Sequence, residues 1–117
     1  MTPQRQIIFH DSYFINFYIE QPEKLQEKIE YVFKVIRTVQ NIPRKFLEHI
    51  TGTDGLYEIR VEFESNIYRI FCCFDKGNLV VLFNAFQKKS QKTPPKEIDL
   101  ALKLKGAYFD TKNITLK

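Results

Sequence analysis

Cysteine, glycine, histidine and tryptophan are all scarce or absent in this chain, and each shortage removes a class of chemistry. The only two cysteines, Cys72 and Cys73, are neighbours. In a strand they point to opposite faces, so a mutual bond would be badly strained and no disulfide framework is available. With no leader of charged, apolar and small residues at the N-terminus, the expected compartment is the reducing cytoplasm. His10 and His49 have no helical spacing, and no Cys-x-x-Cys occurs, so the chain offers no zinc-ligand pattern and no metal or cofactor is expected. The four glycines form no phosphate-cradling loop, and no serine stands in a nucleophile elbow, which leaves nucleotide hydrolysis and acyl transfer without support. Long hydrophobic runs are missing too. Stretches such as Leu79 to Phe83 span five residues, against roughly 20 for a bilayer crossing, so no membrane partner is expected.

What is present is aromatic and basic. The chain has 117 residues, enough for one core, and residues 1–117 are expected to form a single domain. Eleven Phe and six Tyr imply a core in which ring packs on ring. The net charge of +4 is unevenly spread: residues 84–117 carry eight basic and three acidic side chains, while the rest is slightly acidic. A basic final third suits a polyanion, although lysine also serves simply to keep a surface solvated.

Periodicity gives the order of elements. Arg5 to His10 reads as a first strand, and Asp11 or Ser12 can cap a helix running to about Ile19. Leu25, Ile29, Val32, Phe33, Ile36 and Val39 recur at helical spacing with charges opposite, giving an amphipathic helix that should form an antiparallel hairpin with the first. Ile42 to Ile50 is ambiguous, a turn with one or two helical turns. Leu56 to Phe63 alternates as a strand with one wet face. Ile67 to Asp75 and Leu79 to Gln87 follow across turns, so three strands should form an antiparallel meander. Thr93-Pro94-Pro95 opens a last helix to about Tyr108, with the Thr93 oxygen free to cap it. The fold class is α+β.

Arg60 on the wet face of its strand, Arg69 on the next strand, and Lys88, Lys89, Gln91 and Lys92 after the third can converge on one sheet face. If register makes Arg60 and Arg69 neighbours, an anion or carboxylate must lie between them. Either they bind phosphate, or Glu58 and Glu62 pair with them as structural partners. For the cysteines, one is expected to be a small buried hydrophobe and the other partly exposed.

These segments carry a resemblance. Gly55-Leu56-Tyr57-Glu58-Ile59-Arg60, Tyr68-Arg69-Ile70, and Val80 through Pro94 with its Phe86-Gln87-Lys88-Lys89-Ser90-Gln91-Lys92-Thr93-Pro94 run, followed by Glu97-Ile98 and Ala101, resemble the RelE/HigB superfamily of type II toxins, closest to its phage-derived Gp49-like branch. The resemblance implies a RelE-like fold and a metal-free RNA endonuclease that cleaves messenger RNA on the translating ribosome. It also implies neutralisation by a cognate antitoxin, of helix-turn-helix type in this branch, with operator DNA reached only through that antitoxin. Carried onto this chain, Arg60, Arg69, Lys88 and Lys89 become the candidates for catalysis. Gln91, Lys92 and Tyr108 become the candidates for RNA contact, with core packing the other reading for Tyr108. His49 has no counterpart. Where many relatives carry consecutive arginines in the last helix, this chain has Lys103-Leu104-Lys105, so Leu104 can instead extend an apolar seam with Leu100 and Ala107. A non-catalytic RNA- or ribosome-binding module, or a corepressor acting with the antitoxin, are the competing readings of the same surface.

Overall fold

The computed structural model describes residues 3–115. A five-stranded sheet carries helices on both faces, which bears out the α+β expectation. The elements are β1 (Gln6–Phe9), α1 (Tyr13–Ile19), α2 (Glu23–Thr38), β2 (Leu47–His49), β3 (Tyr57–Phe63), β4 (Asn66–Asp75), β5 (Leu79–Lys88) and α3 (Pro95–Thr115). The sheet order is β1-β5-β4-β3-β2, with β1 parallel to β5 and every other pair antiparallel. Among the described residues no helix is long and apolar enough to cross a membrane.

The spaced apolar residues of α2 do what their period predicts. Leu25, Ile29, Val32, Phe33 and Ile36 are buried and join Ile59, Val61, Ile70, Cys72, Val80 and Leu82 of the sheet in one core. The helical pair is antiparallel: the Phe14 ring packs tilted against Phe33 at 5.5 Å, and four residues later the Tyr18 hydroxyl donates to Glu30 Oε2 at 2.9 Å. The opposite sheet face packs Phe71, Cys73, Val81, Phe83 and Phe86 against Ala101 and Leu104 of α3. Leu104, in the Lys-Leu-Lys segment, is therefore a core residue, and Leu100 packs beside it while Ala107 is exposed. The Phe71–Phe86 pair, 5.4 Å between centroids, is one of several contacts that realise the ring-rich core.

Several expectations need correction. Ile42 to Ile50 contains a strand, β2, rather than helical turns, because Leu47, Glu48 and His49 pair with Ile59, Glu58 and Tyr57. Both cysteines are buried, one in each core, because helices cover both faces of β4 where they stand. Neither expected side-chain cap forms as envisaged: Asp11 Oδ1 accepts from the Ser12 amide outside α1, and the Pro94 carbonyl, not the Thr93 hydroxyl, accepts from the Glu97 amide. The last helix runs on past Tyr108 to Thr115.

Two features position the exposed end of the α3-side face. Ile70 pairs with Ala85 but Cys72 with Leu82, so β5 holds one extra residue, a bulge that turns both Phe83 and Phe86 toward α3. Asn84, in that bulge, donates through Nδ2 to the Glu97 carbonyl and to Glu97 Oε1, both at 3.0 Å, and ties the start of α3 to the sheet. The helix then covers the Val81 and Cys73 end of the face. The end formed by β3 after Glu58, the start of β4 and the end of β5 is left open.

Candidate nucleic-acid interface

Register builds the open face as a grid. Arg60 lies directly across from Arg69, which pairs in turn with Phe86, and one step further along Glu62, Ile67 and Lys88 form a second row. Side chains two residues apart on a strand share a face, so Arg60, Glu62, Arg69 and Lys88 all stand on the side of α3. The structure thus brings together three of the four residues expected to be catalytic. Lys89 follows the end of β5 and is exposed, as are Gln91 and Lys92. Ile67, Lys88, Lys89, Ser90 and Gln91 line an open groove of about 410 Å³.

The condition set by two adjacent arginines is met from within the chain. Glu58 Oε2 accepts from Arg60 Nε at 2.8 Å and lies 3.4 Å from Arg69 Nε. Arg60 also reaches Glu48 Oε1 at 3.7 Å, and Glu48 Oε2 accepts from Arg44 at 3.1 Å, so arginines and carboxylates alternate along the β2 side of the sheet. The Glu58 side chain is 10% exposed, so the face read as wet is closed at this position by the two guanidinium groups. Glu48 sits below the usual carboxylate range, first because Arg44 donates to it and then through the field of Arg60.

The two arginines differ in reach. Arg69 is 7% exposed, donates through Nη1 to the Tyr68 carbonyl at 3.2 Å, and keeps Nε without a hydrogen-bond partner of good geometry. Burial pulls its guanidinium below the ordinary arginine value against the opposing attraction of Glu58. Arg60, 29% exposed, still presents part of its fork to solvent. Of the pair, Arg60 can contact a phosphate directly, while Arg69 is placed to hold Glu58 and through it Arg60.

Tyr108 belongs elsewhere. Its hydroxyl donates to Asp75 Oδ2 at 2.7 Å, Lys112 Nζ reaches the same oxygen at 2.6 Å, and its ring meets His10 edge-on at 5.6 Å. Asp75 is six residues beyond Arg69 along β4, about 20 Å at the usual rise per residue. Tyr108 therefore anchors the far part of α3 and does not join the arginine and lysine grid. Burial first, then the hydrogen bond to Asp75, pushes its phenol up to about 12.

Arg44 and Glu48 were invisible as partners of the site, since their four-residue spacing has meaning only once β2 lies beside β3. Among the described residues no cluster of three or more His, Cys, Asp or Glu side chains is placed to hold a metal ion.

A search of curated proteins gives no match of significance. The family model described as "Phage derived protein Gp49-like (DUF891)" matches residues 17–105, which include α2, all of β2 to β5 and the first half of α3. The match covers well over half of the chain and includes every residue of the grid, so the protein belongs to the phage-derived Gp49-like family, a RelE/HigB-like toxin family.

Proposed function

We propose that the protein is the toxin of a toxin-antitoxin pair and cleaves messenger RNA on translating ribosomes from the open sheet face. The observation that supports this reading most is the grid itself: a partly exposed arginine flanked along the next row by Glu62 and Lys88, continuous with the exposed Lys89, Gln91 and Lys92. Glu62 and Lys88 stand two strand spacings apart, about 10 Å between backbones, with only Ile67 between them. A phosphodiester can lie in that gap.

Cleavage then uses the RNA's own nucleophile. The 2′-hydroxyl gives its proton to the Glu62 carboxylate as its oxygen bonds to the adjacent phosphorus. The bond from phosphorus to the 5′-oxygen breaks, that oxygen takes a proton from Lys88, and a 2′,3′-cyclic phosphate is left. Arg60 faces the non-bridging oxygens, where its planar fork can hold two of them as negative charge builds. Arg69 acts through Glu58 as a positioning residue. Lys89, Gln91 and Lys92 hold the strand beside the site without touching the reacting atoms.

Induced expression without antitoxin is expected to stop growth and to leave cut transcripts in primer extension. Arg60→Ala, Lys88→Ala and Glu62→Gln should each relieve the arrest while thermal melting shows the fold intact. Unimpaired growth at high wild-type expression overturns the reading. The carboxylate between the arginines favours one alternative, a binding module whose ion-paired face grips RNA without cutting it. Ribosome association with uncut transcripts would select that alternative.

A further inference from the structure

A second basic surface lies around the corner from the grid, at the outer edge of β3. Past the end of β2, the stretch of β3 from Arg60 onward faces α2 across a cleft of about 320 Å³, lined by Lys28, Val32, Lys45, Phe46, Arg60 and Glu62. Its cations come from three parts of the chain: α2 supplies Lys28, the segment before β2 supplies Lys45, and β3 supplies Arg60. Arg60 is engaged by Glu58 and Glu48, but Lys28 and Lys45 have no ion pair among the described residues. Their ammonium groups stand over aromatic rings instead, Lys28 at 5.1 Å from the Tyr31 centroid and Lys45 at 5.2 Å from that of Phe46. Tyr31 is 53% exposed, and its ring meets Phe46 edge-on at 6.3 Å. Tyr31 stands beside the cleft rather than in its lining, one face of its ring taken by Lys28; an exposed ring next to cations without ion pairs offers a nucleotide a surface for its base and a charge for its phosphate.

We propose that this cleft is a nucleotide subsite for single-stranded RNA, next to the position taken at Arg60 and Lys88. Lys28 and Lys45 meet its phosphate, Tyr31 takes the exposed face of its base, and the Glu62 oxygen not used on the sheet face accepts from a base amino group. The subsite rests on the reading that the sheet face binds RNA. Arg60 and Glu62 belong to both surfaces, so a strand leaving the face enters the cleft without a break. Two lysines would also attract an acidic peptide, but its carboxylates would be pressed against Glu62, whereas a nucleotide presents donors there. The exposed ring likewise favours a base.

The test is fluorescence anisotropy with an eight-nucleotide, 5′-fluorescein RNA carrying 2′-O-methyl riboses, which cannot undergo 2′-hydroxyl attack. Wild type is compared over a salt series with Lys28→Gln/Lys45→Gln and with Tyr31→Ala, each checked for an unchanged melting temperature. Losing both cations from that one phosphate should make the log–log salt slope shallower by about 0.7 and weaken binding about tenfold. Tyr31→Ala should weaken binding about tenfold at an unchanged slope. If wild type binds and both variants match it in affinity and slope, the subsite is overturned and the sheet-face reading stands. If wild type binds no RNA, the sheet-face reading falls and the subsite with it. An oligoglutamate peptide that binds through Lys28 and Lys45 and is not displaced by the RNA assigns the cleft to a protein partner and overturns the proposal.

Discussion

Replacing Glu58 by Gln keeps the shape of the side chain and removes the negative charge that separates Arg60 from Arg69. In the native protein one oxygen of Glu58 lies 2.8 Å from Arg60 Nε and 3.4 Å from Arg69 Nε, and the two arginines face one another directly across β3 and β4. Without that charge a guanidinium only 7% exposed is left beside a second cation. Breaking a buried pair by removing one partner costs about 3–5 kcal/mol. Arg60 keeps Glu48 at 3.7 Å and can swing toward solvent, so the lower end applies, about 2–3 kcal/mol after that relief. At about 4 °C per kcal/mol for a domain of this size, the melting midpoint should fall by about 8–12 °C. Circular dichroism melts and urea titrations of Glu58→Gln, Arg69→Met and the double variant measure it. The coupling between the two substitutions should be about 2 kcal/mol, with the double variant more stable than Glu58→Gln alone. A Glu58→Gln midpoint within 2 °C of wild type, or additive single effects, would refute the idea that this carboxylate holds Arg69 in the sheet.

Other expectations follow from local geometry. The hairpin loop between β3 and β4 is Glu64-Ser65, with φ of +50° and +68° and no glycine, so Ser65→Gly should add about 1 kcal/mol of stability by relieving left-handed strain; a lowered urea midpoint would contradict this. Asp75 is held below its ordinary value first by the Lys112 hydrogen bond and then by that of Tyr108, whose own phenol is raised to about 12 by burial and by Asp75. A depressed acid stabilises above its unfolded pKa and stops doing so as pH falls through its folded value, while a raised phenol stabilises below its unfolded pKa and stops doing so as pH rises through the folded one. Melts across pH should therefore show Asp75→Asn flattening the decline below the ordinary carboxylate range, and Tyr108→Phe flattening the alkaline one between pH 10 and about 12; limbs unchanged by either substitution would count against the anchor. Both thiols are buried, with Cys73 pushed up to about 11 by burial and Cys72 raised further by the same cause. A thiol-specific disulfide reagent at pH 8 should leave the native protein unlabelled and react with both cysteines in urea, and rapid native labelling would show that one face of β4 opens.

How much could be read before the fold was known depended on how local each signal was. The stripe on α2 and the alternation of β3 contain their own explanation, since burial on one side of a helix or strand repeats at the period of that element. The three residues of β2 are too few to show any period, and Phe46, Leu47 and Ile50 happen to fall at helical spacing; only pairing with β3 makes them a strand. The candidate site divides the same way. Arg60, Arg69 and Lys88 could be named from their strands, but their meeting depends on register, and register here is set by a two-residue loop without the glycine that usually announces it. Arg44 and Glu48 matter through β2, and so were hidden with it. For Tyr108 the sequence left RNA contact and core packing open, and the partner that ties it to the sheet, Asp75, lies 33 positions earlier, beyond any reading of helix spacing.

The pairing of β1 with β5 has a consequence for how the molecule is made. Gln6 is matched to Leu79 and Phe9 to Leu82, so the sheet is completed only by closing a loop of about 70 residues, at a chain-entropy cost of about 4 kcal/mol. Nothing shorter can substitute, because β1 has no other neighbour in the sheet. The helical pair and the β3–β4–β5 meander can each begin from near-neighbour contacts, whereas the first strand must wait for the last. Such high-contact-order closure is slow, in the range of milliseconds to seconds. Emerging from a ribosome, the chain would carry its apolar first strand unpaired until β5 is synthesised.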